Sequence, residues 1–202
     1  MKKLFLCLCL SLVLVSFAKS PITVKFKEYS DNPEITGLLG ILDAYQVTAT
    51  LYADSLEAKY YSLWLVTCQG DEFRRKLLGY YPIMPDSTKI TITSMNRDSL
   101  NAVIHVGDIC GYYPRHQVSI PTEGRLLIAC NYDWNFGEND TIPLMGYSQG
   151  IHKKFKMGEG FDICGLRFSK LNPLKWKEKF NLSDYLYLEA IPVKEMNFPE
   201  LN

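Results

Sequence analysis

Residues 60–68 read Tyr-Tyr-Ser-Leu-Trp-Leu-Val-Thr-Cys, and the conformation of that stretch decides how the rest of the chain is arranged. It has no charge, glycine or proline, and nearly every side chain is aromatic, β-branched or leucine. Such residues suit a pleated, half-buried surface. Split by strand alternation, Tyr61, Leu63, Leu65 and Thr67 fall on one face, and Tyr60, Trp64, Val66 and Cys68 on the other. Both faces are apolar, which predicts a central strand with a packed layer on each side. The run is too short, and too poor in caps, for a buried helix.

Toward the N-terminus, Tyr45, Val47, Ala49 and Leu51 alternate with Gln46, Thr48, Thr50 and Tyr52. This second strand is expected to form a hairpin with the first through residues 54–59. Ile22, Val24 and Phe26 alternate with Thr23, Lys25 and Lys27, the pattern of a half-buried strand. Between them, Asp31-Asn32-Pro33 reads as a turn, and residues 35–42, with Gly37 and Gly40, as an irregular lead-in.

Toward the C-terminus, Gly70-Asp71-Glu72 is a turn and residues 73–81 a strand. Residues 89–95 and 101–106 flank Asn96-Arg97-Asp98-Ser99, the clearest hairpin signal. Residues 117–120 read as an edge strand stopped by Pro121, 124–131 as an apolar strand, and 160–169 as a strand interrupted by a bulge. Asn172-Pro173 resembles a helix N-cap with proline at the first helical position, so residues 174–180 are expected to form a short helix over one sheet face. Residues 185–191 supply a last strand. Short strands without a β-α-β rhythm predict an all-β, mainly antiparallel, two-sheet β-sandwich with one short helix near residues 172–180.

Lys2 and Lys3 precede an apolar run over residues 4–17, and Ser16-Phe17-Ala18 supplies small residues at a cleavage site. Residues 1–18 therefore read as a secretory signal peptide of bacterial style, too short to cross a bilayer. Residues 19–202 are expected to be a single β-sandwich domain, periplasmic or extracellular, with no transmembrane segment. The formal charge of +0 falls by two when Lys2 and Lys3 are removed, which gives no reason to expect nucleic acid as a partner. Four cysteines remain after export, Cys68, Cys110, Cys130 and Cys164, an even number that permits disulfides of undetermined pairing. Their spacing, with no Cys-x-x-Cys and no paired histidine, does not suit a zinc site.

Asp133-Trp134-Asn135-Phe136-Gly137-Glu138-Asn139-Asp140 is the loop with most chemistry in it. Asp133, Asn135, Glu138 and Asp140 offer oxygens to a hard cation such as Ca²⁺, although the spacing departs from an EF-hand. Read instead as a sugar site, Trp134 and Phe136 would stack on a sugar face while Asn135 bonds hydroxyls, with Tyr112 and Tyr113 joining from a neighbouring loop. Gly146-Tyr147-Ser148-Gln149-Gly150 is a literal G-x-S-x-G and resembles the nucleophile elbow of cutinase-like and other α/β-hydrolases, in which a strained strand-to-helix turn exposes the serine. The resemblance covers those five residues. The histidine that follows is His152, Asp162 and Asp184 come after it, and no His-Gly-Gly-type loop precedes the motif, so the segment reads as a turn. His152 also opens a basic run: residues 152–179 hold eight Lys or Arg against Glu159, Asp162 and Glu178, a face suited to an acidic polysaccharide, a membrane surface or plain solvent.

These features point to a secreted, non-enzymatic binding module for a carbohydrate or cell-surface ligand, acting through loops at one end of the sandwich. The alternative is an interaction protein that docks a partner chain on an apolar sheet face. Ester hydrolysis at Ser148 is a third.

Overall fold

The computed structural model describes residues 22–54, 56–96, 100–106, 126–130, 135–169 and 171–197. The expected signal peptide, Cys110, Tyr112, Tyr113, the strand expected at 117–120, Asp133 and Trp134 lie outside the described residues. Among the described residues the strands are β1 (Ile22–Glu28), β2 (Ala44–Ala53), β3 (Tyr60–Gln69), β4 (Glu72–Pro82), β5 (Thr88–Asn96) and β6 (Leu100–Val106). They continue with β7 (Leu126–Ala129), β8 (Asn135–Phe136), β9 (Ile142–Ser148), β10 (Ile151–Phe155), β11 (Gly158–Asp162) and β12 (Asp184–Val193). All pair antiparallel, in two five-stranded sheets and a separate two-stranded ribbon. The first sheet has the order β6-β5-β2-β1-β8, the second β4-β3-β12-β9-β7, and β10 pairs with β11 alone. The all-β sandwich follows from the sequence as expected.

One core lies between the sheets: Ile22, Val47, Leu51 and Ile90 from the first meet Tyr61, Leu63, Leu144 and Leu188 from the second. Outward faces differ. On the first sheet that face is polar: Thr48 and Thr91 share a hydroxyl hydrogen bond of 2.9 Å, and the Gln46 amide donates to Thr93 at 3.1 Å. The outer face of the second sheet is apolar and covered. Val66, Cys68, Ile128, Tyr185 and Tyr187 form a second buried cluster with Leu166 and Trp176. Those covering residues come from α2 (Ile163–Arg167) and α3 (Trp176–Phe180), the latter preceded by a 3₁₀ turn over Pro173–Lys175. Both faces of residues 60–68 are buried because a sheet lies under one and this helical segment over the other.

The structure corrects several sequence expectations. β12 holds the centre of the second sheet, and β3 lies beside it. β2 and β3 do not form a hairpin but belong to different sheets, because the Lys59 N–H donates to Val193 O and the Ile83 N–H to Lys59 O, both at 3.0 Å. Residues expected to be an irregular lead-in form a helix, α1 (Pro33–Ile41). Its N-cap outweighs the two glycines: Asn32 Oδ1 accepts the N–H of Glu34 at 2.8 Å and of Ile35 at 3.4 Å, with Pro33 opening the first turn. Residues 160–169 divide between the end of β11 and α2, where the Asp162 carboxylate caps the helix by accepting the Gly165 N–H at 2.6 Å. Cys68, Cys130 and Cys164 form no disulfide with one another. Among the described residues no helix is long and apolar enough to cross a membrane.

Candidate functional site

Gly146, Tyr147 and Ser148 are the last three residues of β9, and the chain turns at Gln149-Gly150 into β10. A strand follows the serine, not the helix that a nucleophile elbow needs. Packing explains both glycines. A Cβ on Gly146 would lie 2.5 Å from Trp176 Cη2, so its absence is what lets that ring pack this closely on β9. Gly150 adopts φ +98°, and a Cβ there would come within 2.8 Å of the Ile163 backbone nitrogen. Ser148 is 2 % exposed, and its Oγ accepts the Gly150 N–H at 3.1 Å.

The β9–β10 turn is one wall of a cleft of about 340 Å³. Ser148, Gln149, Gly150 and His152 line it from that side, Phe161 from β11, and Phe180, Asn181, Leu182, Ser183 and Asp184 from the junction of α3 with β12. The junction's shape is set locally. Asn181 ends α3 in the left-handed region at φ +55°, a conformation that asparagine tolerates better than most residues. Ser183 is anchored where its carbonyl accepts the Gly70 N–H at 2.7 Å, and its hydroxyl donates to Asp184 Oδ2 at 2.8 Å. On the opposite wall, His152 stands edge-on to Phe161, with ring centres 5.5 Å apart, and its Nε2 lies 3.7 Å from Glu159. The base of the ribbon is tied by an ion pair of 2.5 Å between Lys153 and Asp162. That lysine, together with the Gly165 N–H, holds the Asp162 carboxyl below the usual aspartate range.

The cleft thus combines two aromatic rings, an imidazole, amides, hydroxyls and a carboxylate, the mixed lining of a small-molecule site. Among the described residues no hydrogen bond joins Ser148 to His152.

The loop singled out in the sequence is placed elsewhere. Asn135 is exposed in β8, where Thr23 Oγ1 lies 3.4 Å from its Oδ1. Phe136 is 5 % exposed and belongs to the inter-sheet core, so its ring is not offered to a ligand. Glu138 Oε1 accepts the Ala58 N–H at 2.6 Å, and Asp140 Oδ2 accepts the Gly137 N–H at 2.6 Å. The described carboxylates of the candidate cation set are therefore engaged by separate backbone donors. Among the described residues no three His, Cys, Asp or Glu gather as a metal site. Asp133, Trp134, Tyr112 and Tyr113 lie outside the described residues.

Sequence reasoning did not single out Phe161, Phe180, Asn181 or Ser183 as site residues. The available signal was Asn181, an asparagine just past a short helix, which marks a left-handed cap and a sharp change of direction. No protein-family model matches this chain, and no curated protein or solved structure matches it.

Proposed function

We propose that the chain is an exported, single-domain binding protein that takes a small hydroxylated ligand, a sugar residue, in the cleft between the β9–β10 turn and the α3–β12 junction. Export rests on the signal-peptide pattern of residues 1–18. The observation that carries the ligand class is the lining: Phe161 and Phe180 offer ring faces or edges, while Gln149, Asn181, Ser183 and Asp184 offer donors and acceptors at one opening. Flat apolar surface beside hydrogen-bonding groups is what a sugar ring presents in complement. The volume lies at the small end of the range for ligand pockets, roughly 300–1,000 Å³.

Thermal melting of residues 19–202, with and without calcium, against a panel of mono- and oligosaccharides tests this. A ligand at 100 times its dissociation constant adds about 2.7 kcal/mol, or roughly 5–11 °C at this chain length. The shift should vanish in Phe180→Ala and shrink in Asn181→Gly, which keeps the left-handed backbone and removes the amide. No shift across a broad panel, or a shift indifferent to both substitutions, overturns the reading.

A second reading is favoured by α1. Ile35, Leu38 and Ile41 on that helix are 44 %, 55 % and 84 % exposed, an apolar surface fit for a partner chain. It replaces the apolar sheet face as the location for docking, since the first sheet's outer face is polar and helices lie over the second's. Co-purification lost on Leu38→Glu and Ile41→Glu, with no saccharide effect, would favour it over the cleft.

A further inference from the structure

The β10–β11 ribbon carries a second feature, remote in character from the cleft that its base helps to line. It pairs with neither five-stranded sheet. At its turn Met157 is 101 % exposed, and the neighbouring Phe155 is 48 % exposed. Two lysines alternate with them in the order Lys154-Phe155-Lys156-Met157. Lys153 and His152, nearer the base, face Asp162 and Glu159. Glu159 stands across the ladder from Lys154, yet among the described residues neither Lys154 nor Lys156 makes an ion pair.

We infer that this ribbon tip docks on an anionic lipid surface, with Phe155 and Met157 entering the interface and Lys154 and Lys156 meeting lipid phosphates. Charge and shape both argue for lipid over a protein partner. Two unpaired cations beside a fully exposed methionine and a half-exposed phenylalanine complement a layer with anionic headgroups outside and acyl chains beneath. A stable protein interface needs roughly 800 Å² from each partner and matched packing, more than the tip of a two-stranded ribbon can supply. A bilayer interface admits single side chains without shape complementarity. The turn suits such a probe: Gly158 adopts φ +136°, and the place where its side chain would stand is open space.

The test is co-sedimentation of residues 19–202, which contain every element described, with vesicles of phosphatidylcholine alone or with about one third phosphatidylglycerol. The protein should pellet with the anionic vesicles, less so as salt rises, and stay in solution with the neutral ones. Each lysine near an anionic surface is worth about fivefold in partition, so Lys154→Ala with Lys156→Ala should lower partition roughly 25-fold. Met157→Asp should abolish it. Met157→Trp should strengthen it and give an emission quenched by lipids brominated on the acyl chain. These positions are exposed, and melting curves that match the parent will show that the variants fold.

Equal partition into neutral and anionic vesicles, no partition into either, or partition unchanged by the double substitution overturns the proposal. Self-association that the tip substitutions abolish, without vesicle binding, would reassign the ribbon to protein contact and overturn it as well. Phe155 and Met157 do not line the cleft, so failure here and failure of the saccharide reading are separable.

Discussion

Replacing Gly146 with alanine isolates the contact that seats the helical segment on the second sheet. The new Cβ would fall 2.5 Å and 2.7 Å from two carbons of the Trp176 ring. Carbon atoms pack at about 3.5–4.0 Å, so the ring must retreat by roughly 1 Å. It has little room to do so. Trp176 is 1 % exposed, its Nε1 donates to Leu171 O at 3.1 Å, and its ring centre lies 5.5 Å from that of Tyr185. Overpacking of this kind costs about 1–3 kcal/mol, which lowers Tm by roughly 2–12 °C at this length. Without the clash, alanine in a strand interior would gain about 0.5–1 kcal/mol over glycine, so the sign of the change is diagnostic.

Urea unfolding of the parent, Gly146→Ala, Trp176→Leu and the double variant completes the cycle. Trp176→Leu alone should cost about 2–3 kcal/mol for the volume lost. In that background Gly146→Ala should become neutral or stabilising, giving a coupling of about 1–3 kcal/mol. A Gly146→Ala protein as stable as the parent, or effects that simply add, would refute the packing account of the G-x-S-x-G motif.

Two further predictions concern buried groups. Glu189 on β12 is 1 % exposed and paired with Arg75, whose guanidinium lies 5.0 Å from the Trp64 ring centre. Burial raises the Glu189 carboxyl above its ordinary value of 4.5 despite the pull of Arg75. The native state then holds a proton that the unfolded chain releases, so this group's contribution is full below the ordinary value and declines as pH rises through the raised one. Urea midpoints across that window should fall less in Glu189→Gln than in the parent; parallel curves would sink the assignment. Arg75→Ala should steepen the fall and cost about 1–3 kcal/mol near neutral pH, the cost of breaking a buried pair discounted for a half-exposed arginine. For the thiols, alkylation followed by peptide mapping should label exposed Cys164 first, and Cys68 and Cys130 only on unfolding. Burial also pushes the Cys68 thiol up, which slows its thiolate chemistry further. Labelling of Cys68 at the rate of Cys164, or a disulfide between any two of the three, would contradict the structure.

What the sequence made legible was local. Alternation marked β1, β2 and β3 because each has one face in the inter-sheet core, and the two-sided burial of residues 60–68 announced a third layer. The helix near residues 172–180 was readable because Asn172 caps it through its side chain, accepting the Leu174 N–H at 2.9 Å. Long-range pairing was not legible. Residues 54–59 look like a hairpin turn, yet the chain changes sheets there because residue 59 is bonded to segments more than twenty positions away in sequence. In α1 the glycines masked a helix that opens on a side-chain cap, and its exposed isoleucines and leucine left no amphipathic stripe to read. The cleft draws on residues 148–150, 152, 161 and 180–184, and its carving depends on a left-handed asparagine and a turn glycine, which no spacing rule connects. Phe136 illustrates the converse. An aromatic in a polar loop suggests a ligand platform, but its ring closes the core opposite Ile22.

The position of β12 bears on the order in which the molecule can be completed. Residues 184–193 fill the middle of the second sheet, with β3 on one side and β9 on the other. In the folded sheet β3 and β9 stand two strand spacings apart, roughly 10 Å, and only β12 joins them by a ladder. A shortened chain ending before residue 184 would thus lose more than a rim strand. It would present two unsatisfied sheet edges and the Tyr61, Leu63 and Tyr147 side chains to solvent, the surfaces on which chains aggregate. Completion of the second sheet therefore waits on residues 184–193, with the last described strand acting as its keystone.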